Sequence, residues 1–387
     1  MGKRLWGPKR FGILVLVGAC ALVAAAAGSA SATVNVPCAA GGAGLVSAVN
    51  TVNAAGGGSI NLDSGCTYSL TTRNNLAFGG NGLPVVASSI TMNGKGATIA
   101  GNSSNFRIIA VNGPAGGALT LNGVTITGGK ISGTMVTGAG AGILNFSGTL
   151  TLNSSVVTGN WASDAGGGIA NAIGATATLN KSEVSWNTVP ETGSGGGGIL
   201  SIASSLTLND STVDHNSEPG GGGIASGNGN GGGPDSTITL NKSVISDNTA
   251  SGAPESGGGG ISNGGTLVSN NSQIVNNTAE GETGAGLLNH ATATLNHTVV
   301  SGNQATEGGF GGGIVNAIFF AGAPTPTMVI NNSQVTGNSA DAGGGGIVNI
   351  SFDPTAAAGT VTLNHTTVSG NNPDNCEPPG AVPGCIG

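Results

Sequence analysis

Charge is what this sequence has least of. Only 7% of its residues are Asp, Glu, Lys or Arg, and aromatics make up 3%. Disordered chains stay soluble through charge and low hydropathy. This one has a mean hydropathy of +0.18 and few charges, so it belongs with chains that fold. Ten basic residues face 17 acids, and four of the ten, Lys3, Arg4, Lys9 and Arg10, stand at the very start. The six left, Arg73, Lys95, Arg107, Lys130, Lys181 and Lys242, cannot supply the basic footprint of a nucleic-acid binder. No Cys-x-x-Cys supports a zinc site. There is no Gly-x-x-x-x-Gly-Lys-Ser/Thr phosphate loop. Beyond the first 27 residues no apolar run is long enough to span a bilayer. The 75 glycines have no three-residue period, which excludes collagen.

What the chain has is repetition. Eight copies of one unit open on Gly142-Ile143, Gly168-Ile169, Gly198-Ile199, Gly223-Ile224, Gly260-Ile261, Gly286-Leu287, Gly313-Ile314 and Gly346-Ile347. Each reaches a core residue followed by Asn, from Leu152-Asn153 to Leu363-Asn364, with steps 26 to 35 residues apart. Five residues after that core position stands Val or Ile, and three further on an Asn: Asn160, Asn187, Asn216, Asn248, Asn277, Asn303, Asn338 and Asn371. Repeats of this length mean a solenoid.

The period inside each repeat says which kind. Thr149-Leu150-Thr151-Leu152 alternates polar and apolar residues, and Gly at this density disfavours helix. The expectation is an all-β, single right-handed parallel β-helix with three short strands per turn, stacked about 4.8 Å apart. The Ile, Leu and Val positions form inward columns. The Asn columns, and a hydroxyl column from Ser155 to Thr366, bond between turns. Asn-x-Ser/Thr sequons such as Asn153 and Asn180 follow from the repeat and need no glycan. Glycine at the coil corners is expected to supply positive φ and close stacking.

Residues 1–32 read as an export signal, with an apolar stretch from Phe11 to Ala27 and an Ala30-Ser31-Ala32 cleavage site. Val17-Gly18-Ala19-Cys20 approximates a lipobox, so a lipoprotein signal is the alternative. Residues 33–126 hold an N-terminal cap and degenerate first coils, 127–371 the regular coils, and 372–387 a Pro/Gly-rich tail. Leu45, Val46, Val49 and Val52 fall at helical spacing and predict a short helix over the open end. The tail from Asn372 should cover the other end. Cys38 and Cys66 lie at one end of a rod about 40–50 Å long, and Cys376 and Cys385 at the other. A bridge needs Cα atoms within about 7 Å, so the pairs are Cys38–Cys66 and Cys376–Cys385. A secreted or cell-surface location follows from the signal and the bridges.

The Gly-Gly-x-Ile step, followed by a hydrophobic residue, two others and Asn, resembles the polymorphic outer-membrane protein repeat family. Val or Ile stands where that family has Phe, as in Val300-Ser301-Gly302-Asn303. The opening stretch, Asn53 to Leu62, Cys66-Thr67-Tyr68 and Ile90 to Gly94, resembles exported β-helix proteins of actinobacterial type. The resemblance implies the fold, export and adhesion at a surface, and implies no reaction.

Candidate chemistry is sparse. Acids recur before the Gly runs: Asp164, Glu191, Glu218, Glu255, Glu280 with Glu282, Glu307 and Asp341. Stacked, they predict a solubilising ridge. Weak calcium binding is the cation reading of that ridge, and no cofactor is otherwise called for. Seven residues after the core position the coils read Gly159, Trp186, His215, Asp247 and Asn276. Trp, His and Asp thus share a column, with Asp214 beside His215 and Glu183 upstream. A Trp face among polar groups suits a glycan or another cell-surface component, and paired carboxylates suit glycosidic cleavage. Ordinary turn sequence is the plain alternative. Lys181, Asp210 and Lys242 read as a cross-strand charge ladder, while His297 and His365 in that column stand too far apart to share a metal ion. Two functions follow. One is an exported, adhesin-like, non-catalytic binding scaffold; the other is a polysaccharide lyase or glycoside hydrolase on the same fold.

Overall fold

The computed structural model describes residues 31–386, apart from 103–104, 191–192, 194, 228–235, 253–256, 282 and 320–322. The expected signal therefore lies almost wholly outside the described residues. The chain is a right-handed parallel β-solenoid of about 11 turns. Successive turns pair in register: Thr149–Asn153 on Thr176–Asn180, and Val156–Thr158 on Glu183–Ser185. Ile169–Ala172 pairs on Ile199–Ile202 in the same way.

The turn has four strands where three are expected. After the second Asn the chain runs extended again, at Ser217–Glu218, Thr249–Ser251, Thr278–Glu280, Gln304–Thr306 and Ser339–Ala340, and these stack into a sheet of their own. The corner on Asn216 and its equivalents is a sharp bend, and the two or three residues beyond it are too short a stretch to carry an alternating pattern.

The inward columns are as expected. Ile261, Leu240 and Val300 are fully buried, and so are their equivalents in nearly every turn. Burying each contributes about 1.5–3 kcal/mol. Ser269 breaks the column, and its buried hydroxyl lies 2.9 Å from that of Thr298 in the next turn.

Three amide ladders run along the rod. The first joins Asn35 to Asn364 through Asn61, Asn93, Asn122 and the Leu-Asn steps, each Nδ2 donating to the Oδ1 one turn earlier at 2.8–3.0 Å. Its members are half-exposed or exposed. The second, Asn160 to Asn371, is buried and runs the other way, each Nδ2 donating to the Oδ1 one turn later. The third is absent from the sequence reading. Asn145 bonds Asn171, and Asn263, Asn289, Asn316 and Asn349 bond in series. Ser201 and Ser226 interrupt it, which hides it in the sequence. The hydroxyl column bonds as expected, Ser155 N–H to Ser182 Oγ at 3.1 Å and onward.

Glycine has two roles here. The glycine just before each Ile faces the buried Asn ladder, where a side chain has no room. The loop glycines ahead of it fold over the outward residues Leu144, Leu200, Leu288, Val315 and Val348, burying them. Positive φ at the corners is not reserved for glycine. Lys181, Asp210, Lys242, Trp186, His215 and Asp247 all sit at φ 48–55°.

The helix spans Gly41–Ala54 and buries Leu45, Ala48, Val49 and Val52. The bridges are Cys38–Cys66 and Cys376–Cys385, with Cα separations of 5.6 and 6.2 Å. The tail covers only part of its end. Cys376–Glu377 pairs on Ile347–Val348, and Val382 is buried, but Leu363 and Val368 keep some surface. Arg107 is unforeseen: wholly buried, its guanidinium donates to the carbonyl oxygens of Phe78, Val136 and Ala139 and to Asn81 Oδ1. Burial among neutral oxygens pulls it down to about 9.

Candidate functional site

The Leu-Asn strand and the short strand after it meet at one corner, and the next corner carries the column of interest. Thr158, Ser185, Asp214 and Ser246 are in register. The residue after each is the corner residue: Gly159, Trp186, His215 and Asp247, all in the left-handed region at φ 63, 55, 52 and 55°. This conformation throws the side chains outward from consecutive turns. Trp186 and His215 stack, with ring centroids 4.3 Å apart and planes 19° from parallel.

Trp186 is 62% exposed. His215 covers its face on one side. On the other side the corner residue is Gly159, which has no side chain to stack, and no other ring contacts Trp186 among the described residues. One indole face is therefore open along the rod. Trp161, on the strand beyond the corner, is occupied otherwise, with the Lys130 ammonium 5.2 Å from its ring.

His215 is oriented by its neighbour. Its Nδ1 lies 2.8 Å from Asp214 Oδ2, an ion pair when the imidazole is protonated. Asp214 Oδ1 is buried with no hydrogen-bond partner among the described residues. Burial pushes the Asp214 carboxyl up, opposed by the His215 bond and reinforced by the charges of Glu183 and Asp247. Glu183 Oε1 accepts from Ser185 Oγ at 2.5 Å, and Ser185 also reaches Thr158 Oγ1 at 3.2 Å. Asp247 is exposed at the next corner. The structure thus brings all five sequence candidates to one ridge and adds Ser185, a buried serine that nothing in the repeat pattern singles out.

Other expectations change. Lys181, Asp210 and Lys242 occupy consecutive corners, but no ion pair joins them among the described residues; exposed and pointing outward, they make no ladder. The acids before the Gly runs do not line up as one ridge. Glu218 is fully buried and accepts from the Gly220 N–H, Asp164 and Glu280 are half-buried, and Glu307 and Asp341 are exposed. The loops differ in length, so their acids enter at different depths. Glu191, Glu255 and Glu282 lie outside the described residues. Among the described residues the only trio with metal-ligand spacing is Cys38, Asp63 and Cys66, and its two cysteines are bridged. An open hollow of about 300 Å³ near Gly57, Ser59, Ser89 and Thr91 is lined without a titratable side chain.

No protein-family model and no curated protein matches this sequence. Two solved structures resemble the chain in form. One is the Azotobacter vinelandii mannuronan C-5 epimerase AlgE4 A-module, with a TM-score of 0.45 and 12% identity over 84% of this chain and 91% of that one. The other is the pectate lyase Pel9A, with a TM-score of 0.43 and 14% identity over 89% of this chain and 82% of that one. Neither likeness bears on the chemistry of this chain.

Proposed function

We propose that this protein is an exported, non-catalytic β-helix scaffold that binds saccharide at the Trp186 ridge, as a surface adhesin does. The observation that carries the reading is the open indole face above Gly159. A pyranose ring has a flat C–H face that stacks on an aromatic ring, and polar groups at its rim fix orientation. Here His215 backs the indole, Glu183 lies in the same turn as Trp186, and Asp214 and Asp247 stand one and two turns beyond it on the His215 side. The site is a corner, not a cleft, and Trp186, His215 and Asp247 all reach solvent. An open corner does not give the water-poor surroundings in which catalytic electrostatics are strongest.

The second reading, a polysaccharide lyase or glycoside hydrolase, rests on the raised Asp214 carboxyl, which suits a general acid. A glycan array on the purified protein, with reducing-end and unsaturated-product assays on each hit, separates the two. Binding alone predicts that Trp186→Ala weakens affinity about tenfold, one stacking contact's worth, while Asp214→Asn has a small effect. Catalysis predicts turnover that Asp214→Asn abolishes while affinity survives. A parent that binds no glycan overturns both.

A further inference from the structure

The two ends of the rod carry matching strand edges. At one end Ala32–Val36 pairs only with Gly58–Leu62, and at the other Thr360–Asn364 pairs only with Thr327–Asn331. Each leaves an edge with no strand on it among the described residues. Solenoids ordinarily blunt such edges with charge or proline. Neither edge strand has either, and the helix at the first end, Gly41–Ala54, has no charged residue at all.

The edges also match in side-chain chemistry. Asn35 and Asn364 are the two ends of the exposed amide ladder. Asn35 Oδ1 accepts from Asn61, and Asn364 Nδ2 donates to Asn331. That leaves a donor, Asn35 Nδ2, at one end and an acceptor, Asn364 Oδ1, at the other, without a partner among the described residues. Setting Asn35 of one copy beside Asn364 of another aligns Val34 with Leu363, Thr33 with Thr362 and Ala32 with Val361. The new bond, Asn35 Nδ2 to Asn364 Oδ1, has the polarity of every bond inside that ladder. Leu363, which keeps surface in the single chain, gains a neighbour at Val34.

We infer that the partner of these edges is a second copy of this chain, docked head to tail so that the strand Ala32–Val36 of one continues the sheet ended by Thr360–Asn364 of the other. The contact is heterologous, so each dimer still offers one edge of each kind and short chains of copies follow. Cleavage after Ala32, which the sequence expects, would clear the leader from this edge and leave Thr33–Val36 as the edge strand of the mature chain, aligned through Asn35, Val34 and Thr33.

The test uses the full chain, produced with its own leader in a secreting host, and sedimentation velocity over a concentration series. Asn35→Asp still accepts from Asn61 but sets an acceptor against Asn364 Oδ1. Asn364→Lys still donates to Asn331 but sets a donor against Asn35 Nδ2. Each variant alone should self-associate at least about tenfold more weakly than the parent, the effect of one mispaired polar group. Mixed one to one, they should regain association, because the new carboxylate of the first variant meets the new ammonium of the second and the remaining ends are native. Unchanged melting temperatures establish that both variants fold. A parent that stays monomeric overturns the inference, as does a mixture no more associated than its components.

Discussion

Gly260 and Asn277 share one piece of space: a Cβ on Gly260 would stand 2.9 Å from the Asn277 side-chain nitrogen and 2.7 Å from the Gly286 carbonyl oxygen. The same relation holds between Gly198 and Asn216, and between Gly223 and Asn248. It explains why the Gly before Ile and the Asn that closes the second short strand recur together. Asn277 is fixed by a bond to Asn303 and by the Ile245 carbonyl, so it cannot yield.

Gly260→Ala should therefore destabilise the protein by about 2–3 kcal/mol, as over-packing of a tight interior does. Gly227→Ala is the control, since a Cβ there meets nothing within 4 Å among the described residues, and it should change stability by less than about 0.5 kcal/mol. Urea unfolding of both variants is the measurement. Equal effects would mean the glycine column is a matter of turn flexibility and not of space.

Arg107 predicts a second loss. Its guanidinium satisfies the carbonyls of Phe78, Val136 and Ala139, and Met in its place would leave them buried without donors. Arg107→Met should cost about 3 kcal/mol or more by chemical denaturation. A neutral result would mean the three carbonyls find water.

His290 predicts a pH dependence. Its ring packs against Phe319 with centroids 4.9 Å apart, and burial pulls the imidazole from its usual 6.5 down to about 4. The unfolded chain protonates this ring near pH 6.5, while the folded chain resists until about pH 4. Stability from this group is whole above about 6.5 and is lost as pH falls toward 4, by at most about 1.4 kcal/mol per pH unit. His290→Phe should flatten that part of the curve in thermal melts between pH 7 and 4. An unchanged slope would place the dependence in other groups.

How much of this was legible depends on periodicity. The inward columns, two of the three amide ladders and the hydroxyl column are strict in the sequence, because every turn must satisfy the same neighbours above and below. Both disulfides followed from the rod's length. The third ladder was not legible, since Ser201 and Ser226 stand in it, and Ser269 in the core column is understood only beside Thr298. The fourth strand was too short to show a pattern. Features made by one contact between distant loops, such as the seat of Arg107, leave no repeat to read. At the candidate site the column Trp186, His215 and Asp247 was visible by alignment of the turns. What the sequence could not tell was conformation: that a left-handed corner aims these side chains outward, and that the indole is stacked on one face and open on the other.

That open face is the centre of the functional account, and Gly159 tests it most directly. Asn276 occupies the same corner in another turn at φ 56°, so asparagine is accepted at this position in the fold. Gly159→Asn would set a side chain over the free face of Trp186 while leaving Trp186, His215 and Asp214 in place. The measurement is a calorimetric titration of parent and Gly159→Asn with the strongest saccharide from the array, alongside melting curves. The account predicts that the variant melts close to the parent and binds at least about tenfold more weakly, the loss of one stacking contact. Equal affinity in the two proteins would contradict it.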